Sequence, residues 1–248
     1  MKQILFSIII LLALLLMVAY ASPQPELEIM PEFARIENLG ERKQVFFDFM
    51  RPIVEAENNR ISDQRRRMLR LKEKREKGAG FFYWESSWLN DLCVEYRVKC
   101  ADLTSEAVWE ALEMRMGHVP VNLALAQSAA ETAWGTSRFA VSGNAMFGQW
   151  TFSKTSGMLP QGRPAKAKFK VAEFDSVKHS VRSYIRNLNT HSAYKNYRWL
   201  RHQIRKQGIQ PDGLILADGL VKYSQRRYAY VAELKKIIHK NRPLMRIQ

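Results

Sequence analysis

Apolar residues recur every three or four positions along most of this chain, which predicts a mostly helical protein. The longest such segment is 41–77, in which Val45, Phe46 and Ile53 follow helical spacing. Pro52 lies inside this segment, and it either bends the helix or begins a second one. The same spacing predicts further helices at 84–96, 104–116, 119–133, 176–189 and 228–240.

Capping residues predict where several of these helices begin. Thr104 is the expected N-cap of the 104–116 helix, without the acidic partner of a capping box. Pro120 fits the first turn of the next helix. Asp175 or Ser176 is the expected N-cap of the 176–189 helix.

Gly157, Pro160, Gly162 and Pro164 interrupt the helical pattern between residues 150 and 171. This composition predicts a long loop or a short hairpin. Residues 168–174 alternate weakly between apolar and polar, which indicates a strand.

The 119–133 helix carries a single acidic residue, Glu131, among small side chains. Gly135 is expected to stop this helix, which places Glu131 in its last turn and Gln127 one turn earlier on the same face. The helix dipole, partial burial and the nearby Trp134 all favour a protonated carboxyl. Such a carboxyl suits a general acid, whereas a surface glutamate or an ion pair with Arg138 is the structural alternative.

Composition indicates one moderate domain with extensions, since the chain has 248 residues and 46% of them are apolar. The stretch Gly78-Ala79-Gly80 is the expected hinge between a basic N-terminal extension, 22–80, and the main domain, 81–248. The formal charge of +15 predicts an anionic partner such as cell-wall polymer, lipid headgroups or nucleic acid. A solvated basic surface explains the same charge.

The first 21 residues have the pattern of an export signal. Lys2 precedes an apolar run at 4–18, and Ala19-Tyr20-Ala21 resembles a signal-peptidase site. Because this run is short for a spanning helix, cleavage is favoured over an uncleaved membrane anchor. We therefore expect a periplasmic or cell-envelope protein, and export argues against nucleic acid as the partner.

Cys93 and Cys100 are the two cysteines of the chain. An unbroken helix would hold their Cα atoms about 10 Å apart, which is too far for a disulfide. A bridge therefore requires the helix to end near Tyr96, and the sequence leaves both possibilities open. The five histidines show no metal-ligand spacing, and no phosphate-binding loop or Ser-His-Asp order is present.

Three segments together resemble the glucosaminidase domain of glycoside hydrolase family 73, and within it the bacterial Bax-like proteins. The first is ALAQSAAETAWGTSRFA with GNAMFGQW, which contains Gln127, Glu131, Trp134, Asn144 and Phe147. The second is FDS with VRSY and NLNTH, and the third is YSQR with YV, which contains Tyr223 and Tyr230. The resemblance covers roughly residues 85–241.

The resemblance implies a mostly α, lysozyme-like fold with a small hairpin, cleavage of N-acetylglucosaminyl bonds in peptidoglycan, and no cofactor. The catalytic glutamate of the family corresponds to Glu131. Gln127, Trp134, Asn144, Phe147, Trp150, Tyr223 and Tyr230 are the candidate substrate-binding residues. For the tyrosines and Phe147 packing is an equal or better explanation, and Asn144 also suits a turn.

Many members of that family carry a second carboxylate after the Phe-Gly motif, but residues 150–170 contain no acid, and the next one is Glu173. Three possibilities follow: the acetamido group of the substrate acts as nucleophile, a single glutamate serves as acid and then base as in lytic transglycosylases, or the chain binds glycan without cleaving it.

Overall fold

The computed structural model describes residues 29–153, 155–160 and 169–245. The predicted export signal at 1–21 lies outside these residues. Within them, no helix is both long enough and apolar enough to cross a bilayer.

Helices make up most of the described chain, and one small hairpin interrupts them. In chain order the helices are α1 (Leu39–Glu76), α2 (Tyr83–Glu95), α3 (Glu106–Arg115), α4 (Val121–Thr132), α5 (Arg138–Gly143), α6 (Val177–Thr190), α7 (Lys195–Lys206), α8 (Gly213–Leu216) and α9 (Tyr228–Asn241). Strands β1 (Trp150–Thr151) and β2 (Lys170–Val171) pair antiparallel between α5 and α6. The predicted mostly helical, lysozyme-like architecture is confirmed.

The central helix α4 is almost wholly buried and packs against α1, α8 and α9. Its alanines at 124, 126 and 129 have no long side chains, so the neighbouring helices approach its backbone closely. Apolar residues of these elements and of α6 form the first hydrophobic cluster. This packing fixes α4 and the residues at its C-terminal end.

Helix α1 runs without interruption through Pro52. Its first half contributes Phe46 and Phe47 to the first cluster, and its second half contributes Met68 and Leu71 to a second cluster with α2 and α3. The division of the chain near residue 80 stays a prediction, although α1 packs against the helices that follow it.

A disulfide joins Cys93 and Cys100, whose Cα atoms are 6.1 Å apart. Helix α2 ends at Glu95 with Tyr96 as its C-cap, and Arg97 has a left-handed φ of 55°. The chain therefore turns back near Tyr96, as a disulfide between these two cysteines requires.

Three details of the sequence prediction are wrong. The 104 helix begins at Glu106 with Ser105 as its N-cap, because the Thr104 hydroxyl and N–H both donate to Asp102. Helix α4 stops at Thr132, before Gly135, with Ala133 as its C-cap. The predicted strand at 168–174 is confined to β2.

Two further predictions agree with the structure, and three helices were missed. The Ser176 side chain accepts a hydrogen bond from the His179 N–H, as an N-cap does. Pro120 lies immediately before the first residue of α4. The sequence pattern did not predict α5, α7 or α8.

Candidate active site

Three consecutive left-handed residues end α4 directly after Glu131 and Thr132. Ala133, Trp134 and Gly135 have φ angles of 49°, 62° and 79°. The Thr132 hydroxyl donates to the carbonyl of Ser128 at 2.6 Å and accepts from the N–H of Gly135 at 2.9 Å. Glu131 therefore lies in the last turn of a rigid helix.

The backbone of Gly148 lies directly against the carboxyl group of Glu131. A Cβ at position 148 would be 2.7 Å from Oε2 of Glu131, and the φ of Gly148 is 58°. Only glycine combines this conformation with so close an approach. The Phe147-Gly148 turn thus forms one wall of the site.

A chain of hydrogen bonds connects buried side chains to Glu131. The Tyr184 hydroxyl donates to Oε1 of Gln127 at 2.6 Å, and Nε2 of Gln127 donates to the Tyr230 hydroxyl at 3.0 Å. Tyr230 in turn hydrogen bonds to the Glu131 side chain. Because the Tyr230 oxygen accepts a hydrogen bond from Gln127, its own hydroxyl proton is free to be donated to the carboxylate of Glu131.

Aromatic rings surround this chain of hydrogen bonds. Phe147 stacks on Tyr184 with ring centroids 3.8 Å apart, and Tyr223 stacks on Tyr230 at 5.6 Å. The Tyr223 hydroxyl donates to the carbonyl of Phe147 at 2.8 Å. Burial raises the pKa of Tyr184, Tyr223 and Tyr230 well above the ordinary value, so all three hydroxyls stay protonated.

Burial raises the pKa of the Glu131 carboxyl above its ordinary value. The hydrogen bond from Tyr230 and the positive charge of Arg226 lower this pKa, whereas the negative charge of Glu233 raises it. The predicted direction of the shift is confirmed, and desolvation is its largest cause. A half-buried carboxyl with a raised pKa keeps its proton to higher pH than an ordinary glutamate does, and such a group can give a proton to a bound leaving group.

The sequence matches the glucosaminidase family, described as mannosyl-glycoprotein endo-beta-N-acetylglucosaminidase, over residues 108–243. The protein named "Protein bax" of Escherichia coli strain K12 is 30% identical over 207 residues, which cover 81% of this chain and 70% of that protein. This chain belongs to the glucosaminidase family. No solved structure matches it significantly.

In this glucosaminidase-family chain, Trp134 packs against the N-terminal half of α1. Its ring lies edge-on to Phe46 and Phe47 at 6.0 and 5.3 Å, and Lys43 Nζ is 4.9 Å from its centroid. The expected influence of Trp134 on the pKa of Glu131 is not among the causes of the shift. Its place in the apolar cluster with α1 indicates a packing role.

Asn144 and Trp150 lie at the two ends of the segment that connects α5 to β1. Asn144 has a φ of 52° at the C-cap of α5, and its Nδ2 donates to the carbonyl of Phe174 at 2.9 Å. Trp150 begins β1, is 55% exposed and stacks on Phe169 at 4.5 Å. Asn144 therefore fixes a turn, and Trp150 leaves much of its side chain open to solvent.

Arg138 does not form the ion pair with Glu131 that the sequence left open. Its guanidinium donates to the carbonyl of Leu159 and lies over the Phe139 ring. The other acid considered, Glu173, is exposed and accepts a hydrogen bond from the Gly157 N–H at 3.0 Å. That bond ties Glu173 to the hairpin region.

Sequence reasoning missed the charged pair nearest to the site, Arg226 and Glu233. Their side chains are ion-paired, and the Arg226 guanidinium lies 5.7 Å from the centroid of Tyr230. Glu233 follows Tyr230 by three residues on α9, so the two share a helix face. The sequence shows this three-residue spacing, but it does not show that α9 packs beside Glu131.

Within the described residues, no group of three histidine, cysteine, aspartate or glutamate side chains is arranged to hold a metal ion.

Proposed function

We propose that this protein is an exported peptidoglycan hydrolase that cleaves N-acetylglucosaminyl bonds, with Glu131 as its general acid. The observation that carries the proposal is the environment of Glu131: a half-buried carboxyl with a raised pKa, bounded by Gly148 and hydrogen bonded to Tyr230. Family membership supports a glycosidase acting on a glycan. The predicted export signal supports action in the periplasm or cell envelope.

In the proposed reaction the Glu131 carboxyl gives its proton to the glycosidic oxygen while the bond from C1 to that oxygen breaks. The leaving sugar departs as an alcohol, and positive charge develops at C1. Water then adds to C1, and its proton restores the Glu131 carboxyl. Tyr230 holds the carboxylate in place between these two steps.

The positive charge that develops at C1 can be stabilised by the substrate or by the protein. The acetamido group of the substrate is one candidate nucleophile, as the sequence already allowed. Glu233 is an acid whose charge reaches Glu131, and its side chain is ion-paired with Arg226. Its position beside Tyr230 makes Glu233 the protein's own candidate for stabilising developing positive charge.

Two rival functions rest on specific observations. A lytic transglycosylase uses one glutamate without a second carboxylate, and residues 150–170 contain no acid. The same lack of acidic residues at 150–170 supports a glycan-binding envelope protein that has the fold but not the activity. The intact surroundings of Glu131 favour an enzyme over that third possibility.

The test is digestion of purified peptidoglycan by the chain from Ser22, with the products identified by mass spectrometry. Fragments with N-acetylglucosamine at the reducing end support the proposal. Anhydro-muramic ends would instead identify a transglycosylase. A folded protein that binds the wall and releases no fragments would overturn the hydrolase and support the binding protein.

A further inference from the structure

Three consecutive aromatic side chains are exposed to solvent at the start of α2. Phe82, Tyr83 and Trp84 are 56%, 86% and 62% exposed. The rings of Phe82 and Trp84 stack with centroids 4.7 Å apart, which makes a continuous apolar surface. Isolated exposed apolar residues are common, but an adjacent group of large aromatic residues marks an interaction site.

A stripe of basic residues on α1 borders these rings. It consists of Arg67, Arg70, Lys74 and the C-cap residue Lys77, which follow one face of the helix because they are spaced by three, four and three residues. Lys74 Nζ is 4.2 Å from the centroid of the Phe82 ring, and the Arg67 guanidinium is 4.1 Å from that of Trp88. We call Phe82, Tyr83, Trp84 and the four basic residues the aromatic–basic surface.

Two of the four basic residues of this stripe, Arg67 and Arg70, form no ion pair among the described residues. Lys74 pairs with Glu85 and Lys77 pairs with Glu73, both at 2.6 Å. Arg70 is exposed, and it has no ion-pair partner in the part of the chain that the structure describes. The stripe therefore remains positively charged.

Other basic residues of the same helix segment differ, because they hold the fold together. Lys72 Nζ lies 2.6 Å from a carboxylate oxygen of Glu113, and Arg75 pairs with Glu106. Both acids belong to α3, so these contacts fasten α1 to the second hydrophobic cluster. On the aromatic–basic surface, Lys74 makes a comparable contact with Glu85 of α2, whereas Arg67 and Arg70 form no ion pair in the described ranges of the chain.

We propose that the aromatic–basic surface docks on a lipid bilayer that contains anionic headgroups. Tryptophan and tyrosine favour the boundary between water and hydrocarbon, and lysine and arginine bind acidic headgroups. A carbohydrate cleft encloses its ligand in a concavity, whereas a side chain that is 86% exposed, as Tyr83 is, projects from the surface. A projecting aromatic group with a basic border fits a flat anionic surface.

This surface is remote from the candidate active site. Phe46 on α1 contacts Trp134, which follows Glu131 by three residues. Lys74, beside Phe82, lies 28 residues further along the same helix, or roughly 40 Å at the rise of an α-helix. Substitutions in the aromatic–basic surface should therefore leave the surroundings of Glu131 unchanged.

The experiment uses the chain from Ser22, because removal of the apolar N-terminal run leaves every described residue in place. Cosedimentation is measured with vesicles of phosphatidylcholine alone and with vesicles in which half of the lipid is phosphatidylglycerol. We expect binding to the anionic vesicles only, weakened by salt. The combined variant Phe82→Ser, Tyr83→Ser and Trp84→Ser should bind at least about tenfold more weakly.

The matched control is Trp199→Ser, which removes another exposed tryptophan, from α7, and should bind as the parent does. The pair Arg70→Gln and Lys77→Gln should weaken binding to anionic vesicles and reduce its dependence on salt. Circular dichroism and thermal midpoints equal to the parent's verify the fold of each variant. The proposal fails if the parent does not bind anionic vesicles, or if the triple variant binds them equally well. It also fails if the triple variant loses affinity only for isolated peptidoglycan.

Discussion

The backbone of Gly148 touches the carboxyl of Glu131 so closely that a methyl group at position 148 would lie 2.7 Å from Oε2. The Phe147-Gly148 turn therefore determines where the proposed acid can point. Gly148 follows Glu131 by 17 residues, and the tertiary fold brings the two together.

Gly148→Ala should displace the Glu131 carboxyl and strain a backbone whose φ is 58°. We expect a loss of about 1 kcal/mol in unfolding free energy from the backbone conformation, together with at least a tenfold loss of peptidoglycan hydrolysis. Chemical denaturation and turnover measure the two effects.

Gly208→Ala is the matched control for that substitution. Gly208 has a φ of 72°, and nothing lies within 4 Å of where its Cβ would be. Its replacement should cost similar stability while leaving turnover unchanged. Equal losses of turnover in the two variants would show that contact with Glu131 is unimportant.

The raised pKa of Glu131 predicts how stability depends on pH. Its carboxyl favours the protonated form in the folded state more than in the unfolded state. This contribution to stability is therefore present at low pH and is lost as the pH rises through the folded-state pKa.

Glu131→Gln, which carries no charge, should therefore be more stable than the parent at neutral pH. This advantage should diminish as the pH falls through the folded-state pKa of Glu131, and it should change no further below about 4.5, the ordinary pKa of glutamate. Thermal unfolding of both proteins across this range measures the effect. An advantage that grows toward acidic pH would contradict the direction of the shift.

The site-bearing helix was predictable because its signal is local. Small residues, a single acid and a nearby glycine place Glu131 at the end of α4. By contrast, the hydrogen bonds from Gln127 to Tyr184 and Tyr230 join residues 57 and 103 positions apart. Only the packing of α6 and α9 on α4 brings these side chains together.

Helix α7 was missed because two of its arginines are buried. Arg201 is fully buried, and its guanidinium donates to the carbonyls of Gly117 and His118 at 2.8 and 3.2 Å. Arg198 donates to the carbonyl of Leu188. A hydrophobicity pattern treats arginine as exposed, so it cannot identify a helix face that buries these aliphatic stems.

Tyr230→Phe should raise the pKa of Glu131, because the hydrogen bond from Tyr230 lowers it. The variant also leaves Nε2 of buried Gln127 without its acceptor, which should cost about 1–3 kcal/mol of stability. A carbon-13 NMR titration of the Glu131 carboxyl measures the pKa. Tyr228→Phe, at an exposed position on the same helix, should leave both the pKa and the stability unchanged. A lowered pKa in Tyr230→Phe would contradict the account.

Arg226→Gln and Glu233→Gln should shift the pKa of Glu131 in opposite directions. Loss of the Arg226 charge should raise this pKa, and loss of the Glu233 charge should lower it. The same NMR titration measures both shifts, and high salt should reduce them because both partners are partly exposed. Shifts of the same sign in the two variants would show that the pair does not act through its charges.

The central claim is that Glu131 supplies the proton for cleavage, and the most direct measurement is the rate at which dye-labelled peptidoglycan fragments are released. The parent, Glu131→Gln and Glu173→Gln are compared at one pH, each first shown to be folded. We predict that Glu131→Gln is slower by a factor of about 10²–10⁴, whereas Glu173→Gln keeps most of the parental rate because Glu173 contacts the hairpin region. Release by Glu131→Gln at the parental rate would contradict the account.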